Sequence, residues 1–193
     1  MRYLADDEFL RGSVPMTKRE IRILTIAELA AEPGAVVADI GAGTGSLSVE
    51  AARAVGSGQV YAVERNPEAV QLIRENARKF GLTNIQVLEQ EAPQGLEQLP
   101  MLDGAIVGGS GGHLEEILDC LDARLRVGGH IVLNCITMQT LAAALSYLRQ
   151  RREYTYTAMQ VQVNRLQPVG AYDMARGMNP IFIVTAAKQE EKE

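Results

Sequence analysis

Apolar residues in this chain fall into short runs separated by longer stretches that are apolar on one side only, the alternation of buried strands with amphipathic helices. Val36-Val37 running into Ala38-Asp39-Ile40 predicts a first strand, residues 59–64 a second, Ile85–Leu88 a third, Gly104–Val107 a fourth and His130–Ile136 a fifth. Helices are expected between them. Thr17, with Glu20 three residues on, has the spacing of a capping box and leads along Ile21, Leu24 and Glu28 to about Ala31, where Pro33-Gly34 stops it. Ser46 is placed to cap the next helix, and Asn66-Pro67 to open another that carries Ala69, Leu72, Ile73, Asn76 and Phe80 before Gly81. Pro93 marks a further helix; Leu114, Ile117, Leu118 and Leu121 mark the one after strand four; Thr137 caps one running to about Leu148. Such alternation implies a parallel sheet with right-handed crossovers. Beyond residue 150 the pattern changes to two strand-like runs, about 154–164 and 180–187, joined by a connection that contains Gly and Arg and no helix. These predict an antiparallel pair closing one sheet edge. The expected fold is α/β, mostly parallel, in one domain of 193 residues with an irregular arm over 1–16 and a frayed tail over 188–193.

The stretch Asp39-Ile40-Gly41-Ala42-Gly43-Thr44-Gly45 joins the first strand directly to a helix. Three glycines let the backbone bend sharply and meet a ligand closely, and the free N–H groups of the following helix turn favour an anionic group. A dinucleotide fingerprint would need glycine at 46, where Ser46 stands, and a phosphate loop would need Gly-Lys-Ser/Thr, which the chain lacks. Glu64 ends the second strand about 20 residues after the turn, where a carboxylate accepts from both hydroxyls of a ribose. The glycine run and this acid together resemble the S-adenosylmethionine site of class I methyltransferases, a Rossmann-like fold. That ligand carries a carboxylate, an ammonium and a ribose but no pyrophosphate, so it does not call for the third dinucleotide glycine. A net charge of −5 argues against generic attraction to nucleic acid. Cys120 and Cys135 lie in apolar surroundings without metal-ligand spacing, so no metal is expected. The acidic N-terminus lacks the apolar core of a signal peptide and no stretch has the length of a membrane span, so a cytoplasmic protein with no membrane partner is expected.

A second signature follows strand four: Val107-Gly108-Gly109-Ser110-Gly111-Gly112-His113. Four glycines around a serine read either as a flexible turn or as a bare backbone wall for a large flat substrate, with N–H groups free to bind its carboxylates. Taken with Pro15–Glu20, Asp39–Ser46, Val63–Asn66, Glu91-Ala92-Pro93, Val132-Leu133-Asn134 and Asn179-Pro180, this loop resembles the precorrin-6Y methyltransferase family of the cobalamin pathway, the decarboxylating C15-methyltransferases commonly called CbiT, from about residue 7 to 187. The resemblance implies a homotetramer that methylates C15 and decarboxylates the C12 acetate of a tetrapyrrole, precorrin-6Y or cobalt-precorrin-6B. It also places Thr17, Gly41, Ala42, Gly43, Thr44, Gly45, Glu64, Glu91 and Ala92 around S-adenosylmethionine. The chain departs from the family at Gln90-Glu91, where a glycine or aspartate-like pair is common. Such a substrate is a polyacid and this protein is acidic, so its pocket must be locally basic. Lys18, Arg19, Arg22, Arg165 and Arg176 are the candidate cations, and Gly109, Ser110 and Gly111 the candidate wall. No catalytic triad is visible, and a methyl displacement needs none. His113 reads as a proton shuttle or as an ordinary helix residue. Asn179-Pro180 lacks the second proline of the amino-methyltransferase loop, and Pro180 suits the start of an edge strand. Two rival readings share the cofactor half: another small-molecule or RNA methyltransferase, and a non-catalytic nucleotide-binding protein. Three Phe, six Tyr and no Trp offer little for stacking RNA bases.

Overall fold

The computed structural model describes residues 2–190. Its strands are β1 (Val36–Ile40), β2 (Gln59–Glu64), β3 (Ile85–Glu89), β4 (Leu102–Val107), β5 (Leu125–Cys135), β6 (Tyr154–Val161), β7 (Asn164–Val169), β8 (Tyr172–Gly177) and β9 (Ile181–Lys188). Seven of them form one sheet in the order β3-β2-β1-β4-β5-β9-β6, while β7 and β8 pair apart as a two-stranded ribbon. The first five run parallel to one another, and β9 lies antiparallel to both β5 and β6. The expected mostly parallel sheet with an antiparallel pair at its edge is therefore what forms.

Helices cover both faces. α1 (Arg19–Leu29) and α2 (Ser46–Val55) bury Ile21, Ile26, Leu29, Leu47 and Ala51 against one side of β1, β4 and β5, with α3 (Pro67–Lys79) beside α2. α4 (Leu114–Arg124) and α5 (Met138–Arg149) bury Ile117, Leu118, Leu121, Ala144 and Leu148 on the other. Central strands covered twice are apolar almost throughout: in β1, Val37, Ala38 and Ile40 are wholly buried, and Asp39 is the one charged residue buried among them.

Local signals were right at two helix starts and displaced at two. Asn66 accepts from the Glu68 N–H at 2.9 Å with Pro67 in the first turn, and Thr137 accepts from the Thr140 N–H at 3.2 Å. Thr17, by contrast, caps nothing. α1 starts two residues later behind Lys18, the Thr17 carbonyl accepts from Arg22 at 2.8 Å, and Glu20 turns to Arg165. Ser46 is the first residue of α2, whose cap is Gly45. The helix expected near Pro93 is a single 3-10 turn, Leu96–Gln98, because Pro93, Gly95 and Pro100 leave room only to bury Leu96 and Leu99 three apart. β5 begins at Leu125, not 130: Leu102 pairs with Leu125 and Gly104 with His130, so residues 126–129 bulge opposite Asp103. The run expected over 154–164 ends at Val161, and the chain then folds into the β7–β8 ribbon. Pro180 precedes a strand seated between two others, not one at an edge.

The N-terminal arm is irregular apart from a 3-10 turn at Asp6–Glu8, yet it is firmly fastened. Leu4, Phe9 and Met16 are buried with Val49. Arg22, a candidate for substrate carboxylates, is instead wholly buried: it donates to Asp6 Oδ1 and the Leu4 carbonyl at 2.7 Å, with the Phe9 ring 4.6 Å away. At the other end β9 runs through Lys188, whose Nζ reaches Asp122 at 2.9 Å, and the Gln189 N–H donates to the Glu153 carbonyl. The expected frayed tail begins no earlier than that, and its residues 191–193 lie outside the described residues.

Candidate functional site

β1 and β4 are adjacent, but the chain leaves β1 for a helix on one face and β4 for a helix on the other. Their carboxyl ends thus bound a crevice, where open α/β sheets place ligands. The Gly108 and Gly109 N–H groups donate to the Ile40 carbonyl at 2.9 and 3.3 Å, which folds the glycine loop against the glycine turn. A Cβ on Gly41, whose φ is +67°, would stand 2.6 Å from the Gly109 carbonyl oxygen, so this contact admits no side chain. Gly43, at φ +56°, donates its N–H to Glu64 Oε2 at 2.9 Å, while Glu64 Oε1 accepts from the N–H groups of Arg65 and Asn66. The carboxylate therefore bridges the end of β2 and the turn after β1.

Two hollows meet at Gly41. One is a groove of about 190 Å³ walled by Glu64, Arg65, Gln90, Glu91, Ala92 and the backbone of Gly109–Gly111. The other is a cleft of about 710 Å³ between arm residues Val14–Lys18, the glycine turn and the segment Met178–Ile181, with Asn134 and Ile136 at its side. Of the residues expected around the cofactor, Gly41, Glu64, Glu91 and Ala92 line the groove; Thr17 and Gly41–Thr44 line the cleft; Gly45 lines neither and ends the turn as the cap of α2. Glu91 forms an ion pair with Arg65 beside Gly111.

The residues expected on the substrate side divide as well. Lys18 lines the cleft, and Gly109, Ser110 and Gly111 line the groove. Arg165 sits on the β7–β8 ribbon and is held bidentate by Glu20 at 2.6 and 2.7 Å, with Arg176 opposite it in register. Arg19 is exposed and His113, 3.5 Å from Glu116, lines neither hollow. Among the described residues no group of His, Cys, Asp and Glu is placed to hold a metal, and no helix is long and apolar enough to cross a membrane.

Buried polar atoms without partners crowd this region. Asp39 Oδ1, Thr44 Oγ, Gln90 Nε2 and Asn134 Nδ2 make no hydrogen bond, and each residue lines the cleft or the groove. Asp39 is wholly buried. Desolvation pushes its carboxyl up to about 6, opposed by the Ser48 hydroxyl that donates to Oδ2 at 2.5 Å and reinforced by the charge on Glu64. An ammonium, a carboxylate and an adenine edge are the groups that an acid, a hydroxyl and an amide in those places would satisfy, so the residues fit S-adenosylmethionine. Asp39 was legible as part of the glycine motif. Gln90 stood out only as a departure from a family, and Asn134 only as the end of the family segment Val132-Leu133-Asn134, with no role attached.

A sheet of this order, with a reversed strand between β5 and β6 and a glycine turn tied to an acid on β2, defines the class I methyltransferase fold that uses S-adenosylmethionine. Within that class, the chain belongs to the precorrin methyltransferase domain family, whose model matches residues 8–188. It is 38% identical over 97% of both chains to the cobalt-precorrin-6B C(15)-methyltransferase (decarboxylating) of Salmonella typhimurium. It is also similar to the crystal structure of precorrin-6y C5,15-methyltransferase from Geobacter metallireducens, at 40% identity and TM-score 0.90, covering 96% of this chain and 97% of that one. The precorrin 8W decarboxylase structure from Methanobacterium thermoautotrophicum gives 33% identity and TM-score 0.90, over 95% and 99%.

Proposed function

We propose that this protein, as one methyltransferase domain, transfers a methyl group from S-adenosylmethionine to C15 of cobalt-precorrin-6B and releases the carboxyl group of the C12 acetate of the same tetrapyrrole as carbon dioxide, leaving a methyl group at C12. The observation that carries this reading is the junction at Gly41. A nucleoside-sized groove opens there into a cleft large enough to take one edge of a flat macrocycle. Bound S-adenosylmethionine supplies an electrophilic methyl group on a sulfonium centre. Glu64 and the Gly43 backbone orient its ribose, Gln90, Glu91 and Ala92 border its adenine, and Asp39 with Thr17 and Thr44 takes the polar end. Displacement from a sulfonium disperses charge, so the contribution of the walls is orientation and exclusion of water. Ile136, 69% exposed, and Met178 give the ring an apolar bearing surface, and the Gly109–Gly111 backbone a flat one.

Lys18 is the cation inside the cleft, and Arg165 and Arg176 stand on the ribbon to meet peripheral carboxylates. We further infer that the protein works in the cytoplasm as a homotetramer. Leu166, Tyr172 and Met174 on the ribbon are 73%, 78% and 57% exposed, an apolar surface out of keeping with a lone protomer.

The reaction itself is the test. Purified protein given labelled methyl donor and cobalt-precorrin-6B is expected to yield a product heavier by one methylene and lighter by one carbon dioxide. Gly43→Val, which sets a branched side chain at φ +56° facing Val14 and Pro15, is expected to abolish calorimetric binding of S-adenosylhomocysteine. A product that is neither methylated nor decarboxylated would refute the assignment.

A further inference from the structure

A separate hollow of about 360 Å³ shares no lining residue with the cleft or the groove. It lies where α3 packs on β3. Ala77, Leu82, Ile85 and Val87 form its apolar part, and the exposed Arg74 and Arg78 stand beside them. Arg74 is 3.7 Å from the Glu89 carboxylate, and Arg78 has no acidic partner among the described residues. β3 is also the terminal strand of the sheet. The Asn84 carbonyl accepts from the Val60 N–H at 2.9 Å and the Gln90 N–H donates to the Glu64 carbonyl at 3.0 Å, so the even-numbered residues turn their backbone groups to β2. Strand backbones alternate. The N–H and C=O groups of Ile85, Val87 and Glu89 therefore point outward, where no partner meets them among the described residues. Backbone donors and acceptors in strand register thus run along a hollow that is apolar within and flanked by two cations.

We propose that this edge takes up an extended acidic segment of another protein, which adds as a strand beside β3. Alternate residues of a strand share a face, so the segment that fits carries an acid, an apolar residue and an acid at positions i, i+2 and i+4. The apolar side chain meets Leu82, Ile85 and Val87, and the carboxylates meet Arg74 and Arg78. Charge selects this occupant. The protein carries a net charge of −5 and repels acidic chains in general, so an open strand edge beside two arginines is a local exception that steers such a segment to one place. A second copy would bring its own Arg74 and Arg78 to the same seam, where like charges oppose pairing. A phosphodiester chain satisfies the guanidiniums but offers no donors at strand spacing to the outward carbonyls. Because the hollow is separate from the cleft, the docked partner leaves the cleft open.

The probe is the peptide acetyl-Thr-Glu-Thr-Val-Thr-Glu-Thr-amide, compared with a twin carrying Lys at both Glu positions. Each is dye-labelled and titrated with the whole chain by fluorescence anisotropy, and hydrogen exchange of segment 84–90 reads strand pairing. The Glu peptide is expected to bind at least tenfold tighter than the Lys peptide and to slow exchange in that segment at least fivefold. Arg78→Glu is expected to weaken the Glu peptide at least tenfold, with affinity for S-adenosylhomocysteine within twofold of the parent. Val87→Pro removes an outward N–H that β2 does not use, a change an edge strand tolerates, and is expected to weaken the peptide at least fivefold. If Val87→Pro does not fold, Arg78→Glu and the exchange measurement decide. Equal affinity for the twins, indifference to Arg78→Glu, or binding without slowed exchange overturns the proposal. So does displacement of the peptide by an equal concentration of a single-stranded DNA decamer, or peptide-free association of the parent that Val87→Pro abolishes, which would make the occupant a second copy.

Discussion

At the scale of single residues, Asp39 is where stability and binding pull against each other. Its carboxyl is wholly buried with a folded-state value of about 6 against an ordinary 3.8. Below about pH 4 it is neutral in both folded and unfolded chains, and its contribution is fully present. As pH rises through 6 the folded state must ionise a desolvated group, and roughly 3 kcal/mol is lost at 1.36 kcal/mol per unit. Asp39→Asn is therefore expected to stabilise the ligand-free protein by up to that amount at pH 7.5, to leave it unchanged near pH 4, and to weaken S-adenosylmethionine binding at least tenfold. Urea unfolding at the two pH values checks this, and an equal effect at both would clear Asp39 of the role. The glycines and Glu64 were legible in the sequence because their meaning lies in local spacing. Asn134 was legible only as part of a family segment and its bonding was not, since its partner Thr25 is 109 residues away, and Arg22 was misread because the groups that bury it come from the arm.

At the scale of elements, the N-terminal arm is half a wall of the cleft, and α1 holds it there through Arg22. That guanidinium binds Asp6, the Thr17 carbonyl and the Leu4 carbonyl, while Glu50 Oε1 accepts the Leu4 N–H at 2.8 Å. Arg22→Met removes the cation from two carboxylates, one of them wholly buried, and is expected to cost about 3–5 kcal/mol. Limited proteolysis should then cut between residues 10 and 18, with S-adenosylhomocysteine affinity falling in parallel; a resistant arm would contradict this. Helix starts were readable where the capping residue has no competitor, as at Asn66 and Thr137. They slipped where tertiary partners won, as when Arg165 drew Glu20 away from Thr17. The stretch between β3 and β4 was misjudged because a proline signals a turn start without saying how long the turn can continue.

At the scale of the whole molecule, the β–α alternation identified the parallel half of the sheet and the antiparallel pair at its edge. The β7–β8 ribbon stayed hidden, because a strand exposed on both faces has no apolar period to betray it. That ribbon, with Leu166, Tyr172 and Met174 exposed, is where the proposed assembly would be tested. If the proposed tetramer forms through it, Leu166→Glu is expected to give smaller species in sedimentation, while changing the unfolding free energy of the protomer by no more than about 0.5 kcal/mol, as for other exposed positions; a tetramer that persists would place the interface elsewhere. The seating of β9 bears on how the chain comes to be folded. It arrives last among the described strands, yet it occupies a place between two that were made earlier. Until it emerges from the ribosome, β5 and β6 each offer an unpaired backbone edge, and neighbouring nascent chains are free to zip onto them. A copy halted before Ile181 should thus be an insoluble, chaperone-dependent product and not a smaller working enzyme.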